Sequence, residues 1–356
     1  EALIPANVVT DLADIQAKII AGELCTGWPE PCAPAAGSIG TPDNPIKVLF
    51  VPSVDAQVIV SGGEIMKQAL EEATGFSYEV VVPTSYAATI EEMCAAPDRS
   101  IGFIPGLGYV LANQLCGVDV SFKAIRFGWD VYWAQLLVQR DSDIQTLADL
   151  EGKTWGYPDA GSTSGYLAVL PMLAAAGVEI PEGNRVETGG HTGSVRAVYN
   201  GEVDFSSSFF SPPLKPDPAW ARGDAPDIPD DILDTCAPNA DGSRLFCGPG
   251  QEWRVLDARA GLRQEAPDVV QKTRILAISP DIPNDTLSFS PDFPADVRAQ
   301  IEAALVAFAE TDAWDTSIGN QDFYGWTGLS PATDEEYDVV RQMIELSGMT
   351  MEDLGQ

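Results

Sequence analysis

Short runs of β-branched and aromatic residues alternate with helical stretches through most of this 356-residue chain. KVLFVPS (47–53), YEVVVPTS (78–85) and SIGFIP (100–105) read as buried strands. GEIMKQALEEATG (63–75), YAATIEEMCAA (86–96) and GYVLANQLCG (108–117) read as the helices between them, two of them stopped by glycine. VYWAQLLVQRDSDI (131–144) is a long strand-like run, and the alternation then restarts. KTWGYPD is a strand, STSGYLAVL a helix, RVETGG a strand, HTGSVRAVYNG a helix and VDFSSSFF a strand. Strand and helix alternating at these lengths imply βαβ units and a mainly parallel sheet.

Between about 212 and 255 the pattern lapses into a loop-rich insertion, which opens on SPPLKPDPAWARGDAPDIPDDILD and also holds Cys236 and Cys247. RILAISPDIPNDTLSFS returns to strands, and helices over 295–310 and 334–347 close the chain. Ahead of the regular region, NVVTDLADIQAKIIAGEL reads as one amphipathic helix leading into a Pro/Gly-rich linker. The expected division is an extension over 1–45, a first lobe from 46–136 and 288–356, and a second lobe from 137–287. Two α/β lobes joined by long strands place a cleft between them, with ligands beyond the carboxyl ends of the strands.

Charge narrows the partners. Twenty Lys and Arg against 53 Asp and Glu leave a net charge of −33, which argues against nucleic acid or an anionic membrane surface as a main partner. No apolar run approaches the ~18 residues of a membrane-spanning helix. The opening EALIPANVVTDL lacks a basic patch followed by an apolar stretch, so any signal peptide is expected to have been removed or never present. The six cysteines fall as close neighbours, Cys25/Cys32, Cys94/Cys116 and Cys236/Cys247. Six cysteines allow 15 pairings, of which nearest-neighbour closure is the simplest. An even count without metal-ligand spacing favours disulfides in an oxidising compartment.

The candidate chemistry sits at two strand-to-helix junctions. In GYPDAGSTSGYLAVL, Ser162 stands where a helix N-cap belongs, with Thr163 and Ser164 beside it and Gly161 and Gly165 flanking. Unpaired amides and the positive end of a helix dipole suit an anion there, and the hydroxyls add donors. A capping cluster with no ligand accounts for the same residues, and Pro171 is expected to kink the helix. His191, the one histidine, opens the next helix after two glycines. Two such junctions would aim two helix starts at one mouth.

GSTSGYL, then GGHTGSVRAVYNGEVDF, then SPDIPNDTLSF resemble, in order and spacing, the phosphonate/phosphate-type periplasmic substrate-binding proteins of ABC importers. VVPTSYAATIEEM and VYWAQLLVQRDSDI also fit, and the likeness covers roughly residues 46–330. It implies the type 2 periplasmic-binding-protein fold, α/β with two lobes on two hinge strands near 134–140 and 286–290. It implies no cofactor, a small phosphorus oxyanion as ligand, a membrane permease as partner, and a place in the periplasm or at a cell surface, with lipid anchoring as one means of attachment. Its ligand site falls on Tyr86, Tyr132, Ser162, Thr163, Ser164, His191 and Asp285. Hydroxyls, amides and one imidazole would hold the anion in a dry cleft without a full opposing charge, and Asp285 would accept a hydrogen bond from a P–OH. Sulfate lacks that proton and would be repelled. SSSFFSPP, after Asp204, offers hydroxyls and phenyls but no acid for an amine. The expected ligand is therefore phosphate, phosphite or a small alkylphosphonate.

Two other classes fit less. Ser162 or Ser164 with His191 and Asp285 could be drawn as a hydrolase triad, but GSTSG centres threonine and misses the G-x-S-x-G elbow. A sensor or adhesin on the same lobes rests on the N-terminal extension and the insertion, neither of which belongs to the family pattern. The acidic DAPDIPDDILD lacks the spacing and glycine of an EF-hand loop and reads as a solvated loop.

Overall fold

The computed structural model describes residues 38–349, so the amphipathic helix expected near the N-terminus and the Cys25/Cys32 pair lie outside the described residues. In chain order, β1 (Ile46–Phe50), α1 (Ala56–Thr74), β2 (Tyr78–Val81), α2 (Tyr86–Ala95), β3 (Ser100–Ile104), α3 (Gly106–Cys116) and β4 (Asp119–Ile125) come first. β5 (Val131–Gln139), β6 (Trp155–Tyr157), α4 (Val169–Ala175), β7 (Arg185–Glu187), α5 (His191–Asn200) and β8 (Phe205–Phe210) come next. The insertion holds β9 (Ala237–Pro238), β10 (Leu245–Cys247) and β11 (Trp253–Arg254). The chain ends on β12 (Thr273–Ile278), β13 (Ile282–Pro283), β14 (Thr286–Phe289), α6 (Ala295–Phe308), α7 (Asp312–Thr316), β15 (Gly328–Pro331) and α8 (Asp338–Ser347).

These strands form two main sheets, ordered β15-β4-β14-β3-β1-β2 and β12-β5-β8-β6-β7, with β13 on β5 and a small separate β11-β10-β9 sheet. The architecture is α/β in two lobes. Both main sheets are mixed rather than mainly parallel. β1, β2 and β3 are parallel neighbours, as are β6, β7 and β8. β14 pairs antiparallel with β3 and β4, and β5 antiparallel with β8 and β12. A parallel neighbour requires a crossover helix, whereas a strand arriving straight from the other lobe enters from the opposite end.

β4 lies wholly in the first sheet and β5 in the second, so the chain crosses at 126–130; it returns at 284–285, between β13 and β14. Both crossings precede the expected hinge positions. VYWAQLLVQ is one unbroken apolar strand, and hydrophobicity alone does not say which sheet supplies its partners. The Cys94–Cys116 and Cys236–Cys247 disulfides are both present, with Cα atoms 5.7 Å and 4.0 Å apart. Where one kinked helix was expected from Ser162, a single π-helical turn covers Thr163–Leu167 and α4 begins at Val169. Pro171 thus falls in a first turn, where its missing N–H removes no helical bond.

Candidate functional site

Between the lobes lies a cavity of about 50 Å³, and its walls come from the ends of many elements. Ser53 comes after β1, Tyr86 opens α2, Pro105 follows β3, and Tyr324 and Gly325 lie in the loop before β15. The second lobe contributes Ser162, Ser164, His191, Phe209 and Ser211. Arg126, Phe127, Tyr132 and Asp285 come from or beside the two crossings. Space for one water takes about 10–15 Å³, so the cavity holds roughly four water-sized groups. A small tetrahedral anion, with four groups about its central atom, is of that size.

Six of the seven residues expected from the sequence line this cavity: Tyr86, Tyr132, Ser162, Ser164, His191 and Asp285. Thr163 is not among the lining residues, although its hydroxyl approaches that of Tyr132. Its Oγ1 accepts the Leu107 N–H at 2.8 Å. Leu107 is in the first turn of α3, whose N-cap Pro105 has no side chain to offer. Thr163 therefore caps a helix of the other lobe.

That device recurs around the cleft. The Tyr86 N–H at the start of α2 meets Asp159 Oδ2 at 3.5 Å, and the His191 N–H at the start of α5 donates to the Ser53 carbonyl at 3.1 Å. Amides of a first helical turn have no partner within their own helix. Three helices thus find one across the cleft when the lobes are closed. Thr163→Val keeps the volume but strands the Leu107 N–H on closure. We expect a five- to hundredfold weaker apparent affinity, at about 1–3 kcal/mol for an unmet buried donor. Stopped-flow binding should place the loss in the dissociation rate, and an unchanged dissociation rate would remove Thr163 from closure.

The serine turn is built locally. The Ser162 side chain accepts the Gly165 N–H at 3.0 Å, as its N-cap position demands. Gly165 O in turn accepts from the Ser207 hydroxyl, which also receives the Trp155 Nε1–H at 2.8 Å. Ser206, Ser207 and Ser208 are fully buried in the sheet. Of SSSFFS, only Phe209 and Ser211 reach the cavity, so most of the hydroxyls expected near the ligand are structural.

His191 Nδ1 accepts the Phe209 N–H at 3.3 Å. Burial, aided by the nearby Arg126 guanidinium, drops its imidazole to about 3, so the ring is neutral and its proton sits on Nε2. The unfolded histidine takes up a proton near pH 6.5, and the folded one only near 3. Stability from this group is thus full above about pH 6.5 and is lost as pH falls toward 3, at up to about 1.4 kcal/mol per pH unit. His191→Gln should flatten that slope in urea unfolding between pH 7 and 4; an unchanged slope would show that the histidine titrates freely. Burial also holds the Tyr86 and Tyr132 phenols above their usual range, with Asp159 acting the same way on Tyr86 and Asp285 on Tyr132, so both remain protonated donors.

Arg126 is the functional candidate that the sequence reading missed, and it corrects the expectation of a cleft without a full opposing charge. Its Nη2 pairs with Asp285 Oδ2 at 2.6 Å, its Nε donates to the Tyr324 carbonyl at 3.0 Å, and its guanidinium lies 5.4 Å from the Tyr132 ring centre. A signal was available. DVSFKAI, which forms β4, alternates polar and apolar residues as far as Ala124, and Arg126 follows the strand directly. The adjoining Phe127–Gly128 turn has both φ values positive, 52° and 88°. Such a conformation is costly for phenylalanine, and it sets the ring against the cavity.

Comparison with known proteins places this geometry. The model of a family described as ABC transporter, phosphonate, periplasmic substrate-binding protein matches residues 48–337. The chain belongs to that family. A phosphate-import protein PhnD of Mycolicibacterium smegmatis is 27% identical over 198 residues, which are 52% of this chain and 60% of that relative. The binding-protein component of an ABC phosphonate transporter from Pseudomonas aeruginosa superposes with a TM-score of 0.64 at 17% identity, covering 85% of this chain and 86% of that one. PhnD1 of Prochlorococcus marinus, solved with methylphosphonate, gives 0.62 at 13% identity, covering 85% and 98%. This phosphonate-binding-protein family is a transport component rather than an enzyme family, and its members work outside the cytoplasm. No helix among the described residues is long and apolar enough to cross a membrane.

Proposed function

We propose that the protein captures a small, amine-free phosphorus oxyanion (phosphate, phosphite or a small alkylphosphonate) outside the cytoplasm and delivers it to the permease of an ABC importer. One observation carries this reading: Ser162, Ser164, Tyr86, Tyr132 and the neutral His191 together line one space of a small oxyanion's size. In this reading the serine hydroxyls, the His191 Nε2–H and the two phenols donate to the anion, with the first-turn amides beside them. Asp285 accepts from a P–OH, which sulfate cannot offer at neutral pH. Asp285 is the sole carboxylate among the lining residues, and it already pairs with Arg126, so an ammonium group has no acid waiting for it. The relative named for phosphate import and the structure solved with methylphosphonate are amine-free cases.

A binding role without catalysis is supported by the partners of the histidine. A triad requires an acid on one imidazole nitrogen, yet Nδ1 is taken by the Phe209 amide and Asp285 is held by Arg126. Titration calorimetry of ligand-stripped protein against phosphate, phosphite, methylphosphonate, 2-aminoethylphosphonate and sulfate tests the proposal. Tight binding of an amine-free phosphorus anion, weakened in Ser164→Ala and absent for sulfate, is the expected result. No heat from any phosphorus anion would sink it.

A further inference from the structure

Arg126 and Asp285 sit on the two separate passes of the chain between the lobes, one on each. The passes are tied to each other directly. The Ala124 N–H donates to the Asp285 carbonyl at 2.9 Å, and Asn284 Nδ2 donates to the carbonyls of Ala124 and Trp129, both at 2.9 Å. The ion pair therefore belongs to the crossing itself and does not depend on how far the lobes have closed.

Within the pair the guanidinium is only partly used. Nε serves the Tyr324 carbonyl and Nη2 serves Asp285, while Nη1 has no hydrogen-bond partner among the described residues. The side chain lines the cavity, with its guanidinium 5.4 Å from the Tyr132 ring centre. A guanidinium presents its donors in a rigid fork, so anchoring two of its nitrogens also fixes where the third points. The charged groups lining the cavity are this arginine and Asp285, and with His191 neutral their charges cancel.

Resting on the oxyanion reading above, we infer that Arg126 is a direct ligand of the anion through Nη1 and acts with Asp285 as one donor–acceptor unit. Nη1 donates to an ionised oxygen, and the Asp285 carboxylate accepts from the neighbouring protonated one. A singly protonated oxyanion satisfies both halves. An anion with no proton satisfies the arginine but meets the carboxylate charge. Without Arg126, the carboxylate would repel any anion that entered.

The alternative role, a counterion that merely holds Asp285 in place, makes a different prediction, and a double-variant cycle with inorganic phosphate and sulfate separates the two. Arg126→Met should weaken phosphate binding by more than about a hundredfold, since a charge-assisted bond is lost and the carboxylate is exposed. Asp285→Asn should weaken phosphate and admit sulfate. The double variant Arg126→Met/Asp285→Asn should remain at least about tenfold weaker than Asp285→Asn toward both anions. If the double variant matches Asp285→Asn, Arg126 is only a counterion and the inference falls. Crystals of the wild-type protein grown with phosphate give a second test that no misfolded variant can obscure. An anion oxygen within about 3.2 Å of Arg126 Nη1 is expected, and one held clear of it overturns the inference. Failure of the wild-type protein to bind any phosphorus anion would instead overturn the proposed function, and this inference with it.

Discussion

Replacing Gly165 by alanine is expected to weaken phosphate binding at least about a hundredfold while the protein still folds. A Cβ at this position would overlap the Pro158 ring and come within 2.9 Å of Ser162 Oγ. A proline ring is not the end of a flexible side chain, so the loop rather than a rotamer has to move. Ser162 would lose its capping bond to the Gly165 amide, and the serine turn would lose its seat on Ser207. The Pro158 carbonyl also accepts the Gly190 N–H at 3.0 Å, directly ahead of His191, so one methyl disturbs both helix starts at the cavity. Overpacking of this kind costs about 1–3 kcal/mol of stability, and each displaced charge-assisted donor about 1.5–3 kcal/mol of binding. Calorimetry with phosphate, alongside thermal unfolding, checks both numbers. Near-wild-type affinity would mean that the loop relaxes without carrying the hydroxyls away.

The largest effect on stability is expected at Arg259, which does not line the ligand cavity. Its side chain is 1% exposed and lies between two carboxylates. Nε and Nη2 pair with Asp257 at 2.9 Å and 3.0 Å, and Nη1 pairs with Asp227 of the insertion at 2.8 Å. Asp227 also receives Arg140 from the end of the second sheet at 3.0 Å and the Ile275 N–H of β12 at 3.2 Å. The insertion is thus pegged to the second lobe by one acid shared between two arginines. Arg259→Leu strips Asp257 of its cation inside the protein, where an unpaired buried charge costs about 3–5 kcal/mol. Urea unfolding should show a loss of that size at pH 7. Adding Asp257→Asn should recover part of it, because the uncompensated charge is removed. A loss under about 1 kcal/mol would show that water reaches the cluster and solvates the carboxylates.

The insertion itself contributes no residue between 212 and 255 to the cavity wall. It nevertheless bears on the wall from behind. Arg254 donates to Gln321 Oε1 at 2.6 Å, and its guanidinium lies 5.5 Å from the Phe127 ring. Gln321 and Phe127 both line the cavity. The loop-rich insertion therefore supports the site without touching the ligand space. An acid from the insertion would have favoured an amine-bearing ligand, and none stands there.

Much of this molecule is legible in one dimension because the signals are local. Glycine after a strand, then a hydroxyl, then an apolar 3.6-residue period marks a helix start wherever it occurs, and Ser162 and His191 were found that way. The order of strands and helices and two neighbouring cysteine pairs come from the same short-range grammar. Other local signals were present and misread. Asp55 caps α1, its side chain accepting the Gln57 N–H at 2.9 Å, but the β-branched AQVIVSGG behind it hides the first two turns of that helix.

What only the tertiary structure decided depends on partners distant in the sequence. Thr163 lies between two cavity-lining serines, yet it turns to cap Leu107, which is 56 residues away. Neighbours on a tight turn point in different directions, and no periodicity records which lobe lies opposite each one. Arg126 became part of the site because β4 and β14 pair in one sheet and β5 and β13 in the other, bringing its guanidinium to Asp285 across 159 residues. Sequence alone determined that two hydroxyl- and imidazole-bearing helix starts exist on an α/β frame. Which of those groups share one space, and what charge balances them, was settled by long-range strand pairing, since a hydrogen-bonded ladder can bring together residues that no local pattern connects.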